Sequence, residues 1–139
     1  MTERDYRILL KIVMNQTELS AYAKEFRISS ASDMNRLHPA TRRGIIGFIG
    51  DLFELTKPLS DHVKSQLPLN QSVIKQFRNT SIHQYGVVTD VMAYACLMHC
   101  IDKVLVRVVK DLVDEYKTQK SDVEISKFVK EKMCKNGKS

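Results

Sequence analysis

The sequence predicts an all-α fold, and three observations support that prediction. Apolar residues recur at helical spacing along several long segments, whereas the strict alternation typical of strands is scarce. Only five glycines and three prolines occur in 139 residues, too few to punctuate many short strands. The hydrophobic fraction of 43% and the charged fraction of 27% are typical of a globular chain of one-domain size. We therefore expect an up-down, four-helix-bundle-like architecture.

Two helices are expected in the first half of the chain. The first covers about residues 2–27, where an apolar seam at helical spacing has Gln16 as its one polar member. A connector rich in Ser, Asp and Asn follows it and closes at Pro39. The second helix carries the apolar positions of about residues 45–59, and Pro58 kinks or ends it.

A short helix and a long one are expected next. Pro68 and Asn70 mark a break, and the short helix begins at about Gln71. Gly86 separates it from a long helix over about residues 87–116, which is apolar around most of its circumference. Such a helix must be covered from more than one side. Because the domain is small, we expect a second subunit to supply the extra cover, which predicts a homodimer formed through helices.

The C-terminal segment is expected to form a short helix of its own. Ser121 is followed three residues later by Glu124, the spacing of a capping box at a helix start. An amphipathic and lysine-rich stretch comes after it. We therefore divide the chain into a helical domain, residues 1–118, and a basic C-terminal helix and tail, residues 119–139.

The charge balance is basic, with a formal net charge of +6 and a pI of about 9.3. A surplus of this kind suits an anionic partner, of which nucleic acid is the commonest. The alternative is a solvated, lysine-rich surface, because much of the surplus lies in the C-terminal tail. Charge alone does not choose between these two interpretations.

The cysteines and the apolar segments indicate a reducing, cytoplasmic location. The cysteines are three in number and form neither a CxxC pair nor a zinc-type cluster, so we expect no metal and no cofactor. Cys96 and Cys100 lie one helical turn apart and are expected to pack as small apolar residues. Charged residues interrupt the first 13 residues and the apolar region 87–113, so we expect neither a signal peptide nor a membrane span.

The stretch "QFRNTSIHQYGVV" concentrates polar side chains between two apolar segments. It contains the candidate site residues Arg78, Asn79, Ser81, His83 and Tyr85. In one continuous helix Asn79 and His83 would share a face, whereas Arg78 and His83 would lie roughly 140° apart. The spacing therefore predicts a composite or interrupted site. An Arg and a His five residues apart also occur by chance in many proteins, as a surface cation and a capping imidazole.

The segment "RNTSIHQY" resembles the signature of the HEPN superfamily, and of its HepT-like branch in particular. That signature is Arg-x4-His-x-Tyr, usually with Asn after the Arg, and Arg78, Asn79, His83 and Tyr85 match it. The resemblance implies an all-α HEPN bundle that dimerises so that the Arg and His of both subunits face a shared cleft. It also implies a metal-independent endoribonuclease that acts as the toxin of a toxin–antitoxin pair.

A second landmark supports the resemblance. The family carries an "IGEA…L" segment in its second helix, and this chain has "FIGDLFEL", with Ile49, Gly50 and Asp51 in the matching places. The resemblance extends over about residues 5–116. The chain departs from the family in having Asp51 where Glu is usual, in lacking a Trp before the motif, and in its longer basic tail.

The family's antitoxin is a minimal nucleotidyltransferase (MNT), which is therefore the implied protein partner. It can attach AMP to the tyrosine of the motif, which here is Tyr85. Such a modification would add bulk and negative charge to a cationic cleft and so block RNA. Tyr85 is therefore either a substrate contact or the exposed hydroxyl that the partner modifies.

The residue types suit RNA cleavage without a metal, in which the 2′-hydroxyl is the internal nucleophile. His83 is the expected general base or acid, because histidine titrates close to neutral pH. Arg78 supplies a permanent charge and a fork of donors for phosphate oxygens. Asn79 or Ser81 would hydrogen-bond the phosphate or orient the imidazole. Asp51 either orients Arg78 through an ion pair or is a plain surface acid.

Two other interpretations stay open at this point. The chain could be a non-catalytic HEPN module that binds a nucleotide or docks a nucleotidyltransferase, because a fold does not determine a function. It could also be a helical scaffold in which the motif only stabilises a dimer. Outside the motif, we expect His99 to be a core or interface residue and His38 to lie in the loop before Pro39.

Overall fold

The computed structural model describes residues 1–83 and 88–136, with side chains over residues 1–80 and 88–133. The described residues form helices and loops and contain no strand, which confirms the all-α prediction. In chain order the helices are α1 (Glu3–Glu25), α2 (Ala31–Asn35), α3 (Pro39–Thr56), α4 (Asp61–Gln66), α5 (Gln71–His83), α6 (Asp90–Cys100) and α7 (Lys103–Asn136). None of these helices is long and apolar enough to cross a membrane.

Helix α1 begins and ends close to its predicted bounds, whereas α3 begins at Pro39, ahead of the apolar positions that predicted it. Thr2 caps α1 through a capping box. The Thr2 hydroxyl accepts a hydrogen bond from the N–H of Asp5, and the Asp5 carboxylate accepts one from the N–H of Thr2. His38 is the N-cap of α3, where Nδ1 accepts a hydrogen bond from the N–H of Ala40. The helix ends at Thr56, so the chain leaves the helical path just before Pro58, as expected of proline.

The prediction of one long helix over residues 87–116 is wrong. The chain breaks at Ile101 and Asp102, which separate α6 from α7. An Asp102 carboxylate oxygen accepts hydrogen bonds from the N–H groups of Val104 and Leu105, at 3.0 and 3.1 Å. This capping satisfies backbone donors that a helix start leaves open, and the apolar pattern around it does not signal the break.

Much of the apolar circumference of the predicted helix is covered by the chain itself, while Val91 and Val104 stay 70% and 49% exposed. Helix α6 is surrounded by α1, α2, α3, α5 and α7. Its four fully buried residues are Ala93, Cys96, Leu97 and Cys100. A helix covered on several sides by its own chain needs no second copy to exclude water. The apolar residues of α6 therefore do not by themselves require a second subunit, and the homodimer stays a proposal.

Helix α1 is tied to the break between α6 and α7 by its one polar seam residue. Gln16 is 2% exposed, and its Nε2 donates to the carbonyl oxygen of Cys100 at 2.9 Å. That carbonyl is at the end of α6, where the helix itself leaves acceptors without partners. The polar residue in the predicted apolar seam therefore satisfies a neighbouring helix end.

The prediction of a separate short C-terminal helix is also wrong. Helix α7 continues through Ser121 and Glu124 to Asn136, so the boundary drawn between residues 118 and 119 lies inside it. The capping-box spacing is overridden because extending an existing helix adds a hydrogen bond per residue, whereas starting a new helix requires an unfavourable nucleus. Tyr116 and Lys120 of α7 both contact Glu3 at the start of α1.

Candidate functional site

The candidate site is built on α5, which carries the motif, and α3, which supports it. Arg78 is partly buried, with 28% of its side chain exposed. Its Nη2 donates to the carbonyl oxygen of Phe53 at 3.2 Å. Its Nε lies 3.5 Å from Oε1 of Glu54, within ion-pair distance. Both contacts are with the last turns of α3, so Arg78 joins α5 to the end of that helix.

The carboxylate beside Arg78 belongs to Glu54 and not to Asp51. Of the two roles considered for Asp51, the described side chains favour the plain surface acid, because Asp51 is exposed and Glu54 is the carboxylate within ion-pair distance of Arg78. Glu54 also accepts from Lys57, with 2.9 Å between Nζ and Oε2. The Lys57 hydrogen bond lowers the pKa of Glu54 most, and the charges of Lys57 and Arg78 act in the same direction. The "FIGDLFEL" segment contains both Asp51 and Glu54, and the sequence alone does not indicate which of the two lies beside Arg78.

Aromatic packing holds α5 against α3 next to Arg78. The rings of Phe53 and Phe77 meet edge to face, with centroids 5.4 Å apart, and both residues are buried. Gly50 faces the same ring, since a Cβ added to it would lie 3.4 Å from Cε1 of Phe77. The glycine of the "FIGD" landmark therefore lies where α3 and α5 approach each other closely.

A second arginine holds the chain that follows the motif. Arg42, near the start of α3, lies with Nε and Nη2 at 3.1 and 3.0 Å from the Asp90 carboxylate. Its Nη2 also donates to the carbonyl oxygen of Val88 at 2.5 Å. Asp90 is the first residue of α6, and Val88 is buried. Sequence reasoning missed Arg42 because no local pattern links it to a residue 48 positions away.

Helix α3 therefore anchors the polar stretch at both ends. Its C-terminal turns hold Arg78, and its N-terminal turns hold Val88 and Asp90. The residues between these anchors carry the remaining candidates.

The structure describes the remaining candidates unevenly. Asn79 is exposed on α5. Helix α5 extends through His83, so the backbone of Ser81 and His83 belongs to the same helix as Arg78. The side chains of Ser81 and His83, and Tyr85 as a whole, lie outside the described residues. The roles predicted for Ser81, His83 and Tyr85 therefore stay predictions.

The other histidine on an apolar helix has a structural role. His99 accepts a hydrogen bond at Nε2 from the N–H of Asn70, at 3.2 Å, and so connects the end of α6 to the chain before α5. Burial lowers the pKa of His99, and the nearby charge of Asp102 opposes this shift. The ring centroid lies 6.2 Å from that of Phe53. His99 is half-buried, so these contacts give it a packing role at the edge of the core, and the expected alternative of an interface residue stays a prediction.

The cysteines behave as small apolar residues where they are described. Cys96 and Cys100 are buried and free. Burial raises the pKa of the Cys96 thiol to about 11 and raises that of Cys100 as well. Across the described side chains, no three His, Cys, Asp or Glu residues come together as a metal-ligand group.

Comparisons with protein-family models, curated proteins and solved structures found no match to this chain. The site is therefore defined by its own residues: an arginine fixed on a helix pair, followed by a polar stretch that is anchored again at Val88. What it can do chemically is bind a phosphate or another anion at Arg78 and present the groups that follow on α5.

Proposed function

We propose that this protein is a metal-independent ribonuclease of the HepT-like type, with Arg78 and His83 as its catalytic residues. Asn79, Ser81 and Tyr85 then contact the substrate, and the enzyme acts as a homodimer in which both copies of the motif face one cleft. In a toxin–antitoxin pair, a nucleotidyltransferase antitoxin would silence it by attaching AMP to Tyr85. The basic net charge of +6 is consistent with an RNA substrate.

The observation that carries the proposal is the anchoring of Arg78 at the start of the Arg-x4-His-x-Tyr pattern. The bond to the Phe53 carbonyl and the proximity of Glu54 set the direction of the guanidinium. Partial exposure keeps its charge within reach of an anionic ligand. A fixed cation is what stabilisation of a developing phosphorane requires, because it needs no reorganisation during the reaction.

The proposed reaction proceeds through the substrate's own 2′-hydroxyl. A base removes the 2′-hydroxyl proton while that oxygen attacks phosphorus, and the 5′-oxygen leaves with a proton from an acid. The products are a 2′,3′-cyclic phosphate and a free 5′-hydroxyl. His83 acts as base or acid near neutral pH, and Arg78 balances the charge on the non-bridging oxygens. DNA lacks the nucleophile and is not a substrate.

The test is RNA cleavage by the purified protein in EDTA, alongside His83→Ala, Arg78→Ala and Arg78→Lys. We expect the parent to release 2′,3′-cyclic phosphate ends. We expect His83→Ala to lose roughly 10²–10⁴-fold of the rate, the usual value of general acid–base catalysis. Arg78→Lys keeps the positive charge but lacks the paired N–H donors of a guanidinium. It should therefore recover only part of the activity lost in Arg78→Ala.

The exposed Arg43 offers a matched control, because Arg43→Ala removes a cation from α3 outside the site. Circular dichroism of each variant separates loss of chemistry from loss of fold. Equal cleavage by the parent and His83→Ala would show that the activity comes from a contaminant or from another residue. Cleavage that stops in EDTA would contradict the metal-independent mechanism.

A second candidate is a non-catalytic module that binds a nucleotide or docks a nucleotidyltransferase. The observation in its favour is that Arg78 already bonds to the Phe53 carbonyl and lies beside Glu54, contacts that stabilise the helix pair. It predicts no cleavage by an unmodified parent. Intact mass spectrometry must therefore establish first that Tyr85 carries no AMP, since a modified toxin would also be inactive.

A further inference from the structure

Two adjoining clefts lie where the end of α1 meets the start of α3. Their volumes are about 380 and 230 Å³, and Phe26 and Thr41 line both of them. Aromatic rings wall the smaller cleft, with centroids 6.3 Å apart for Tyr22 and Phe26 and 5.6 Å apart for Tyr22 and Phe48. Phe26 is 38% exposed, and the other two aromatic residues are half-buried. We call the two clefts together the aromatic cleft.

Gly44 keeps space open beside these rings. It lines the smaller part of the aromatic cleft, and a Cβ added to it would meet nothing within 4 Å. A glycine inside a helix lowers the stability of that helix, and here it relieves no close contact. The wall formed by the rings therefore borders free space rather than a neighbouring side chain.

Cations lie along the larger part of the aromatic cleft. Arg27, Arg36 and His38 line it. Asp33 is the one acid among its described lining residues, and it is 5% exposed. Asp33 pairs with Arg36 and accepts hydrogen bonds from the N–H and the hydroxyl of Ser29, at 2.8 and 3.0 Å. Because this carboxylate is satisfied inside the protein, the charge that the cleft presents to a ligand is positive.

Arg27 occupies a backbone position that favours glycine. Helix α1 ends in a Schellman motif, in which the N–H of Ile28 donates to the carbonyl oxygen of Ala23 at 2.9 Å and the N–H of Arg27 donates to that of Lys24 at 3.2 Å. The φ angle of Arg27 is 53°, in the left-handed region where a side chain raises the energy. An exposed arginine at a position that costs stability points to a use for its side chain.

We propose that the aromatic cleft binds an unpaired base of single-stranded RNA, with the phosphate next to that base held by Arg27. Aromatic rings stack on every nucleobase, and a neighbouring arginine supplies charge for the backbone, as in single-strand binding sites generally. An apolar protein segment would use the rings but leave the cations without a partner. A duplex keeps its bases stacked on one another and offers no free face to the rings.

The aromatic cleft lies on the same turns of α3 that hold the chain after the motif. Thr41 lines the cleft, and the next residue, Arg42, contacts Val88 and Asp90. The cleft therefore gives the RNA a second hold beside the segment that follows the motif. The inference rests on RNA as the ligand of the proposed function, but not on Arg78 or His83 as catalytic residues.

The test is fluorescence anisotropy of the full chain with a labelled, single-stranded 2′-O-methyl oligouridine, which lacks the nucleophilic hydroxyl and stays intact. We expect Phe26→Ala to weaken binding about tenfold, the value of one lost stacking contact. Met14→Ala is the matched control, because Met14 is an apolar residue of α1 that is 66% exposed and lines neither cleft. It should bind as the parent does.

Two further variants separate loss of binding from loss of fold. Arg27→Gly removes the cation and suits the left-handed backbone, so we expect weaker binding together with a melting temperature a few degrees higher. Gly44→Leu places a side chain in the open space beside the rings, so it should also weaken binding while raising the melting temperature. Lys11→Ala removes an exposed cation elsewhere on α1 and should change binding less than Arg27→Gly does.

Photocrosslinking locates the bound base directly. With one 5-iodouridine in the same oligonucleotide, we expect the crosslinked residues to be Tyr22, Phe26 or Phe48, because these rings line the smaller part of the cleft.

Three outcomes would overturn the inference. The parent binds no single-stranded RNA, or binds the duplex equally well. Binding falls in Arg27→Gly but not in Phe26→Ala, which would show a contact through charge alone. The crosslinks map outside the aromatic cleft, as they would if the cleft docks a protein segment. RNA cleavage in EDTA reports separately on the ribonuclease proposal, so each of the two proposals can fail alone.

Discussion

At the scale of single residues, Asp5 connects the start of α1 to the middle of the chain. Its carboxylate accepts from the N–H and the hydroxyl of Ser60, at 2.9 and 2.8 Å, and from the N–H of Thr2 at 3.2 Å. Burial by itself would raise the pKa of Asp5, yet the hydrogen bonds from Ser60 and Thr2 lower it below its ordinary value. A buried carboxylate is tolerated here because each oxygen has donors.

We expect Asp5→Ala to lower the free energy of unfolding by about 1–3 kcal/mol near neutral pH, because Ser60 and Thr2 lose their acceptor. Since the folded-state pKa is the lower one, the unfolded chain takes up a proton first as the pH falls. The contribution of Asp5 is therefore complete above the ordinary pKa of 3.8 and is lost as the pH falls through the folded-state value.

Urea unfolding of the parent and Asp5→Ala at neutral pH and in acid measures both effects. The exposed Asp51 provides the control, since Asp51→Ala should change the stability little at either pH. An Asp5→Ala deficit that stays constant in acid would contradict the lowered pKa.

Two glycines inside α3 form a natural pair for comparison. A Cβ at Gly47 would meet nothing within 4 Å, whereas a Cβ at Gly50 would lie 3.4 Å from Phe77. We expect Gly47→Ala to stabilise by about 0.5–1 kcal/mol through helix propensity. Gly50→Ala should gain less, because its new methyl group contacts a ring packed against Phe53. Thermal unfolding compares the two, and an equal gain would show that Phe77 adjusts freely.

At the scale of secondary-structure elements, capping decides where the C-terminal half of the chain divides. The helical spacing of apolar residues continues from α6 into α7, but Asp102 caps a new helix there. At Ser121 the opposite holds, because a capping-box sequence lies inside a continuous helix. A cap contributes only where the backbone already departs from the helix.

We expect Asp102→Ala to lower the free energy of unfolding by about 1 kcal/mol, because the N–H groups of Val104 and Leu105 lose their acceptor. Ser121→Ala should cause no loss and a slight gain, since alanine is the better residue inside a helix. Chemical unfolding of both variants tests the pair. A loss in Ser121→Ala comparable to that in Asp102→Ala would contradict the continuous α7.

At the scale of the whole molecule, α3 is the element that organises the site. It holds Arg78 at one end and, through Arg42, Val88 and Asp90 at the other. It also packs on α1, α5 and α6, so the core and the polar stretch share one support. Arg78, at the start of the motif, and Val88, after it, are thus both held by contacts with α3.

Because Arg42 holds the chain just after the motif, we expect Arg42→Ala to reduce the proposed RNA cleavage more than Arg43→Ala does. The loss should appear mainly in kcat, roughly tenfold or more, since the guanidinium of Arg42 acts through the position of the stretch and not through substrate binding. Single-turnover and steady-state cleavage distinguish the two parameters. Equal activity of Arg42→Ala and the parent would show that the anchor does not position the site.

Local patterns predicted much of the fold and part of the site. The helical character, the extent of α1, and the burial of Cys96 and Cys100 follow from periodicity and residue type. Arg78 was selected from its sequence context alone. Its partner Glu54 could not be selected over Asp51, since both acids lie on one short segment and only the packing of α5 on α3 determines which one is reached.

What the sequence by itself determined is the set of local propensities: an all-α chain, its helix-stopping prolines, and a polar motif on the fifth helix. Tertiary structure alone decided the break at Asp102, the continuous α7 and the cover of α6 by its own chain. The reason is physical. Periodicity reports how a segment prefers to fold, whereas contacts such as that between Arg42 and Asp90 join residues 48 positions apart, whose proximity no local pattern encodes.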